Sequence, residues 1–306
     1  MNIILDVLYT VALVLWYYME ALIAVLTPSS LKREKEISGK VAVVTGAGQG
    51  LGRLISIGLA SRGARLVLWD INLKGLKETK AIIERDGGEA YIYECNVADR
   101  SAVYDTADRV RRDVGEVYLL LNNAGIVNGK WLLDTPDDQV QRVMDVNATA
   151  HFWTLKAFLP HMIAVNDGHI VTVSSIAGKA PCPKLVDYCA SKYAAVGLHE
   201  SLAIELRAMK KTGIHLTNIC PFFINTGMFA GCRMKFHPML EQEEVANRVV
   251  QATLRNEHQV ILPAIYDVLL RLSGLFPRKA VRAIEDLSGV GSFMENFTGH
   301  NNGRSK

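Results

Sequence analysis

The stretch KVAVVTGAGQGLG, residues 40–52, decides the fold. KVAVVT (40–45) is a short β-branched run, glycines follow, and LGRLISIGLASRG then carries apolar residues at helical spacing. That is one βα unit. Within the turn TGAGQGLG (45–52), Gly46, Gly50 and Gly52 let the backbone bend tightly and approach a pyrophosphate, whose charge would sit at the positive end of the helix. A turn that needs glycine only for its positive φ would read the same, so the surroundings must decide.

They repeat the unit. RLVLWD (65–70) is a second strand with a helix after it through Glu84, and AYIYECNV (90–97) precedes a helix from Arg100 to Val114. VYLLLNNAG (117–125) leads to one long helix around 138–165, HIVTVSS (169–175) to the helix that carries DYCASKYAAVG, and IHLTNICP (214–221) and QVILP (259–263) close the series. Alternation of this kind predicts a doubly wound, Rossmann-type parallel sheet with helices on both faces, one α/β domain over residues 38–265.

Asp70 ends the second strand, near the offset of about 20 residues at which an acidic side chain takes the ribose hydroxyls. A carboxylate there accepts from the 2'-hydroxyl of NAD and repels the 2'-phosphate of NADP, so the expected cofactor is NAD. The alternative is that Asp70 only caps the next helix.

Residues 3–26, IILDVLYTVALVLWYYMEALIAVL, are apolar all round apart from Asp6 and Glu20. As a helix the segment would be about 36 Å long, more than the ~30 Å hydrocarbon core. It has no basic start and no small-residue cleavage pattern, so residues 1–28 read as an uncleaved anchor. Lys32, Arg33 and Lys35 follow in the linker (29–37), which puts the downstream domain in the cytosol. The two carboxylates leave spanning and lying flat both open.

The net charge of +3 is small and dispersed, which gives nucleic acid no face to bind. The five cysteines lack CxxC spacing and read as free thiols. The eight histidines form no zinc pattern, so no metal is expected.

TGAGQGLG, NNAG (122–125) and YCASK (188–192), in this order, resemble the TGxxxGxG, NNAG and YxxxK signatures of the short-chain dehydrogenase/reductase superfamily. The apolar N-terminus, LVLWDIN, KAFLPHMI and CPFFINTGMFAGC are similar to its membrane-associated retinol dehydrogenases of the epidermal type, a branch that includes steroid 17-beta dehydrogenases of lipid droplets. The resemblance implies a catalytic set of Asn147, Ser175, Tyr188 and Lys192, with Ser175 preferred to Ser174 because it lies thirteen residues before the tyrosine. It also implies cofactor contacts from Gly46, Gly50, Leu51, Gly52, Asp70, Asn96, Val97, Asn123, Ala124, Gly125, Tyr188, Lys192, Pro221 and Thr226, and a homodimer. Two positions depart from the family pattern: Asn96 stands where Asp is common, and Phe222 follows Pro221 where Gly is common.

Tyr188 and Lys192 are i and i+4 on one helix face, whereas Tyr193 is turned by about 100°. A phenol of pKa ≈ 10 needs about 4 kcal/mol of preference for phenolate to act as a base near neutrality, and a cation about 4 Å away supplies that order of energy. Lys192, with the positive nicotinamide ring, is the expected source. In the implied division of labour Ser175 holds the substrate oxygen, Lys192 also binds the nicotinamide ribose, and Asn147 holds a water of a proton relay.

FFINTGMFAGCRMKFHPML (222–240) is rich in aromatics and methionine and suits an apolar wall, with Phe222, Phe223 and Met228 as substrate contacts beside Ser175. Residues 266–306 form a C-terminal extension, either interfacial or part of the core. The expected activity is NAD-dependent oxidation of all-trans-retinol to retinaldehyde at the endoplasmic reticulum membrane or lipid droplets, with 17-beta-hydroxysteroid oxidation as the alternative. A non-catalytic NAD-binding lipid-droplet protein is the reading from another class.

Overall fold

The computed structural model describes residues 3–28, 31–232 and 238–299. Ser29 and Ser30 of the linker, residues 233–237 of the aromatic segment and 300–306 of the C-terminal extension lie outside the described residues. The chain divides into two compact units, Met1–Lys35 and Glu36–Lys306.

The first unit is helix α1 (Ile3–Leu26). Its window Ile3–Glu20 is long and apolar enough to cross a membrane, and none of that window is buried. Glu20 has a partner within the helix: Trp16 Nε1 donates to its Oε1 at 2.9 Å.

The second unit is built on seven parallel strands, β1 (Val41–Thr45), β2 (Arg65–Asp70), β3 (Glu89–Glu94), β4 (Val117–Asn122), β5 (Gly168–Val173), β6 (Ile214–Pro221) and β7 (Gln259–Leu262), in the order β3-β2-β1-β4-β5-β6-β7. Helices α2 (Gly50–Ala60), α3 (Leu73–Arg85), α4 (Arg100–Asp113), α5 (Asp137–Met144), α6 (Ala150–Val165), α7 (Val186–Ala208) and α8 (Gln242–Leu254) connect them. Two further helices, α9 (Ile265–Ser273) and α10 (Arg278–Ser288), follow β7.

The strands read as continuous apolar runs because both faces are covered. Successive residues alternate between two cores: Ala42, Val44, Leu66 and Leu68 face one with α2 and α8, and Val41, Val43, Val67 and Trp69 face the other with α4 and α6. Chain order reverses between β1 and β4, so the loops at their carboxyl ends splay apart and open a crevice there.

The long helix expected over 138–165 is interrupted. Asp145–Thr149 forms a π-helical turn between α5 and α6, and Asn147 sits buried in it. Such a turn widens the hydrogen-bond register locally and re-aims the side chains it carries.

Candidate active site

The crevice holds a cavity of about 550 Å³ lined by residues that follow the carboxyl ends of β1 to β6. At one end is the glycine turn. Gly46 has φ +69°, and a Cβ on Gly52 would collide with the Gly46 carbonyl oxygen, so the turn and the first turn of α2 touch backbone to backbone. Asn123 clamps this contact. Its Nδ2 donates to Thr45 O at 2.9 Å and Gly46 O at 3.3 Å, and the Asn123 and Ala124 amides donate to Thr45 Oγ1. Arg53 adds a second clamp from α2, donating to Gly48 O and Thr79 Oγ1 and pairing with Glu78 at 2.9 Å.

Asp70 is held from both sides, with Oδ2 accepting from Gly48 N and Oδ1 from Asn72 N, each at 2.9 Å. The cap of α3 is Asn72, whose side chain accepts from Gly75 N. Asp70 therefore serves the loop and the cavity, not the helix end. Asn96 turns its Oδ1 back onto Ala98 N, and Val97 follows it along the cavity wall. A dinucleotide fits these residues: a glycine cradle that a Cβ would fill lies at one end, an acidic side chain beside it, and a tyrosine and lysine at the other end.

At that far end Tyr188 and Lys192 come from one face of α7 and line the cavity, whereas Tyr193 is 45% exposed and does not. Ser175 also lines it, accepting from Ala177 N at 3.1 Å. The Ser174 hydroxyl is spent within the sheet on Asn218 Oδ1 and Ile219 O. Lys192 Nζ donates to Val173 O at 3.0 Å and lies 5.7 Å from the Tyr188 ring centroid.

Burial shifts this pair against expectation. Burial pushes the Tyr188 phenol above its usual range, and a hydrogen bond with Ser175 offsets only part of that. Burial also lowers Lys192 to about 8. Attraction between the two groups follows from their spacing, whereas the burial of each is a property of the folded chain.

Asn147 stands just behind the cavity wall. Its Oδ1 accepts from Ile126 N at 2.8 Å, and its Nδ2 donates to Ile126 O and to Ser191 Oγ, at 2.9 and 3.0 Å. Ser191 in turn donates to Tyr188 O at 2.7 Å. Asn147 thus ties the loop following β4 to the turn of α7 that carries Tyr188 and Lys192.

Gly50, Leu51, Gly125, Pro221, Thr226, Phe222 and Met228 all border the cavity. Phe223 does not. The Phe222 and Phe223 rings meet edge-on at 4.9 Å but turn to different partners: Phe222 stacks on Tyr266 at 4.9 Å, while Phe223 packs inward against Phe229 and Phe293 at 4.8 and 3.9 Å. Phe229, which the sequence reading passed over, takes the wall position and stands edge-on to Tyr188 at 5.8 Å.

Asp187 was also missed, although it directly precedes the tyrosine. It is 5% exposed, accepts from Asn128 Nδ2 at 2.6 Å and from Tyr188 N at 2.8 Å, and so anchors the start of α7 to the loop after NNAG.

With this geometry, the family model for the short chain dehydrogenases matches residues 40–235. The chain belongs to that family. It is an oxidoreductase fold with curated relatives along nearly its whole length. It is 42% identical over 302 residues to short-chain dehydrogenase/reductase family 16C member 6 of Bos taurus, covering 97% of this chain and 94% of the relative. To epidermal retinol dehydrogenase 2 of Mus musculus it is 43% identical over 272 residues, with 88% of each covered. To 17-beta-hydroxysteroid dehydrogenase 13 of Rattus norvegicus it is 36% identical over 300 residues, with 98% of each covered.

Among solved structures, a short-chain dehydrogenase/reductase from Burkholderia phymatum in complex with NAD superposes with a TM-score of 0.71 at 28% identity, covering 78% of this chain and 93% of that one. A metagenomic short-chain oxidoreductase in complex with NADP gives 0.64 at 32% identity, covering 74% and 98%.

Proposed function

We propose that this protein is an NAD-dependent dehydrogenase of lipophilic alcohols that oxidises all-trans-retinol to retinaldehyde at a membrane. The observation that carries the reading is a single cavity with the Asp70 carboxylate at its nucleotide end and Tyr188, Lys192 and Ser175 at the other, walled there by Phe222, Met228 and Phe229.

Gly46, Gly50 and Gly52 receive the pyrophosphate, Asp70 the adenosine ribose, and Lys192 the nicotinamide ribose. NAD, when bound, supplies the hydride acceptor and a positive ring charge at the tyrosine end of the cavity. Ser175 Oγ holds the substrate hydroxyl against the Tyr188 phenol, and the aromatic wall excludes water from it.

Tyr188 takes the hydroxyl proton as its base. The burial that raises the phenol makes a neutral tyrosine the resting form, so added positive charge nearby has to lower it for turnover. A lysine lowered to about 8 keeps a proton that it can exchange near neutral pH. Asn147 and Asp187 position the pair through Ser191 and the Tyr188 amide.

Helix α1 supports a membrane site, since it exposes an apolar surface all round its first 18 residues. The reading places the catalytic unit in the cytosol at the endoplasmic reticulum or lipid droplets. A 17-beta-hydroxysteroid is the second reading, supported by the rat relative matched over 98% of both chains.

Microsomes containing the protein, assayed with NAD or NADP and with all-trans-retinol or estradiol, test this. Retinaldehyde formed with NAD is the expected result. Estradiol turnover without retinol turnover promotes the second reading, and no turnover of either rejects the enzyme reading as stated.

A further inference from the structure

The segment 290–299 lies across the back of the aromatic wall, and three kinds of contact fix it there. The first is ring packing. Phe293 and Met294 are each 1% exposed, and Phe293 meets Phe223, which meets Phe229, which stands edge-on to Tyr188. The second is polar. Thr298 N donates to Ala230 O at 2.8 Å, and Lys184 Nζ donates to Met294 O at 3.3 Å, while Cys232 Sγ lies 3.3 Å from Met294 Sδ.

The third is close backbone approach at two glycines outside the nucleotide turn. A Cβ on Gly231, at φ +86°, would collide with Asn296 O, and one on Gly129, at φ +68°, would collide with the Phe297 ring. Phe297 also borders a second cavity of about 450 Å³ that shares Gln49, Gly125, Ile126, Arg142 and Met228 with the first. The segment therefore supports the wall at two points, behind Phe229 through Phe293 and beside Met228 through Phe297.

We propose that residues 290–299 are a specificity strap: by docking on the 222–232 loop they fix Met228 and Phe229 in the shape that accepts a long apolar alcohol. Among the described residues, the strap's ring contacts and hydrogen bonds go to the 222–232 loop and to Lys184, not to the nucleotide turn or Ser175, so its effect falls on the body of the substrate. This rests on the reading that the substrate is lipophilic. Phe293 and Phe297 are positioning residues. Loss of Phe293 removes the ring nearest to Phe223, at 3.9 Å, and with it the backing that Phe223 gives Phe229.

The test uses the full chain in microsomes with NAD, comparing Phe293→Ala with the unaltered protein on all-trans-retinol, estradiol and the short allylic alcohol prenol. The expected result is a KM for the lipophilic alcohol raised roughly 10-fold, prenol kcat/KM held within about twofold, and unchanged NADH binding. Equal losses on long and short alcohols, or no loss on either, overturn the proposal.

Phe297→Ala repeats the test where Phe293→Ala does not fold. Hydrogen exchange reads the strap without any substrate. Residues 222–232 lose protection in the variant while β1 to β5 keep theirs, and unchanged protection in that loop overturns the proposal. An unaltered protein that oxidises neither lipophilic alcohol rejects the functional reading, and the exchange result still decides the strap.

Discussion

The two ends of the cavity are built by different means. The nucleotide end is backbone packed on backbone. Gly46 meets Gly52, Asn123 and Arg53 clamp the turn with side-chain donors, and Asp70 is held by two amides. The substrate end is side chain packed on side chain, a run of rings from Phe293 through Phe223 and Phe229 to Tyr188. Backbone clamps admit one shape and tolerate little change, whereas packed rings can be re-cut without loss of the fold. Added bulk at the Gly46–Gly52 contact should therefore all but abolish cofactor binding, and trimming the ring wall should weaken substrate binding by degree.

The sharpest way to break this contrast is Gly52→Ala. Its methyl would collide with the Gly46 carbonyl and with Asn123 Nδ2, so a cost on the order of 3 kcal/mol is expected. The readout is NADH binding by fluorescence titration, which should fall by about two orders of magnitude. Near-normal binding would show that the clamp yields.

Lys192→Met probes the far end of the cavity through stability. Its folded value near 8 lies below the ordinary 10.5, so between those values the unfolded chain keeps a proton that the folded chain has released. Stability therefore rises with pH across that window, and below pH 8 the full penalty of the buried charge applies. The variant should be inactive yet more stable at pH 7 by up to about 3 kcal/mol, with the gap closing toward pH 10.5. A urea titration of the apo-protein that finds the variant less stable at pH 7 contradicts this.

His151 and His199 extend the comparison to the sheet and helices beneath the cavity. Burial lowers both to about 3. Between pH 6.5 and 3 the unfolded chain binds two protons that the folded chain refuses, so stability falls as pH falls, by roughly 2.7 kcal/mol per unit when both contribute. His151→Leu should halve that slope in urea unfolding between pH 6 and 5, and an unchanged slope would assign the loss to other groups.

The smallest effect belongs to Asp70→Ser with Ile71→Arg. The pair should move the preference from NAD toward NADP by about 10-fold, or ~1.4 kcal/mol, read as the ratio of kcat/KM values. An unmoved ratio would detach Asp70 from the ribose.

The same division explains what the sequence made legible. The glycine turn, NNAG and the Tyr188–Lys192 spacing are local patterns, and the strands announce themselves as buried apolar runs. RLVLWD and IHLTNICP form β2 and β6 over the expected residues.

The π-turn at Asp145–Thr149 was hidden because its change of register leaves the apolar pattern of the long helix unbroken. Phe229 and Phe293 were hidden because their partners lie far along the chain, and the inward turn of Phe223 follows from those partners. The direction in which the Tyr188 phenol moves was hidden for a related reason: burial is a property of the folded whole.

Tyr188 is the proposed base of an NAD-dependent alcohol oxidation. Retinaldehyde formation by Tyr188→Phe in microsomes, at saturating NAD and all-trans-retinol, tests it most directly. A fall on the order of 10³-fold with NADH binding retained is the expected result. Turnover equal to that of the unaltered protein would contradict it.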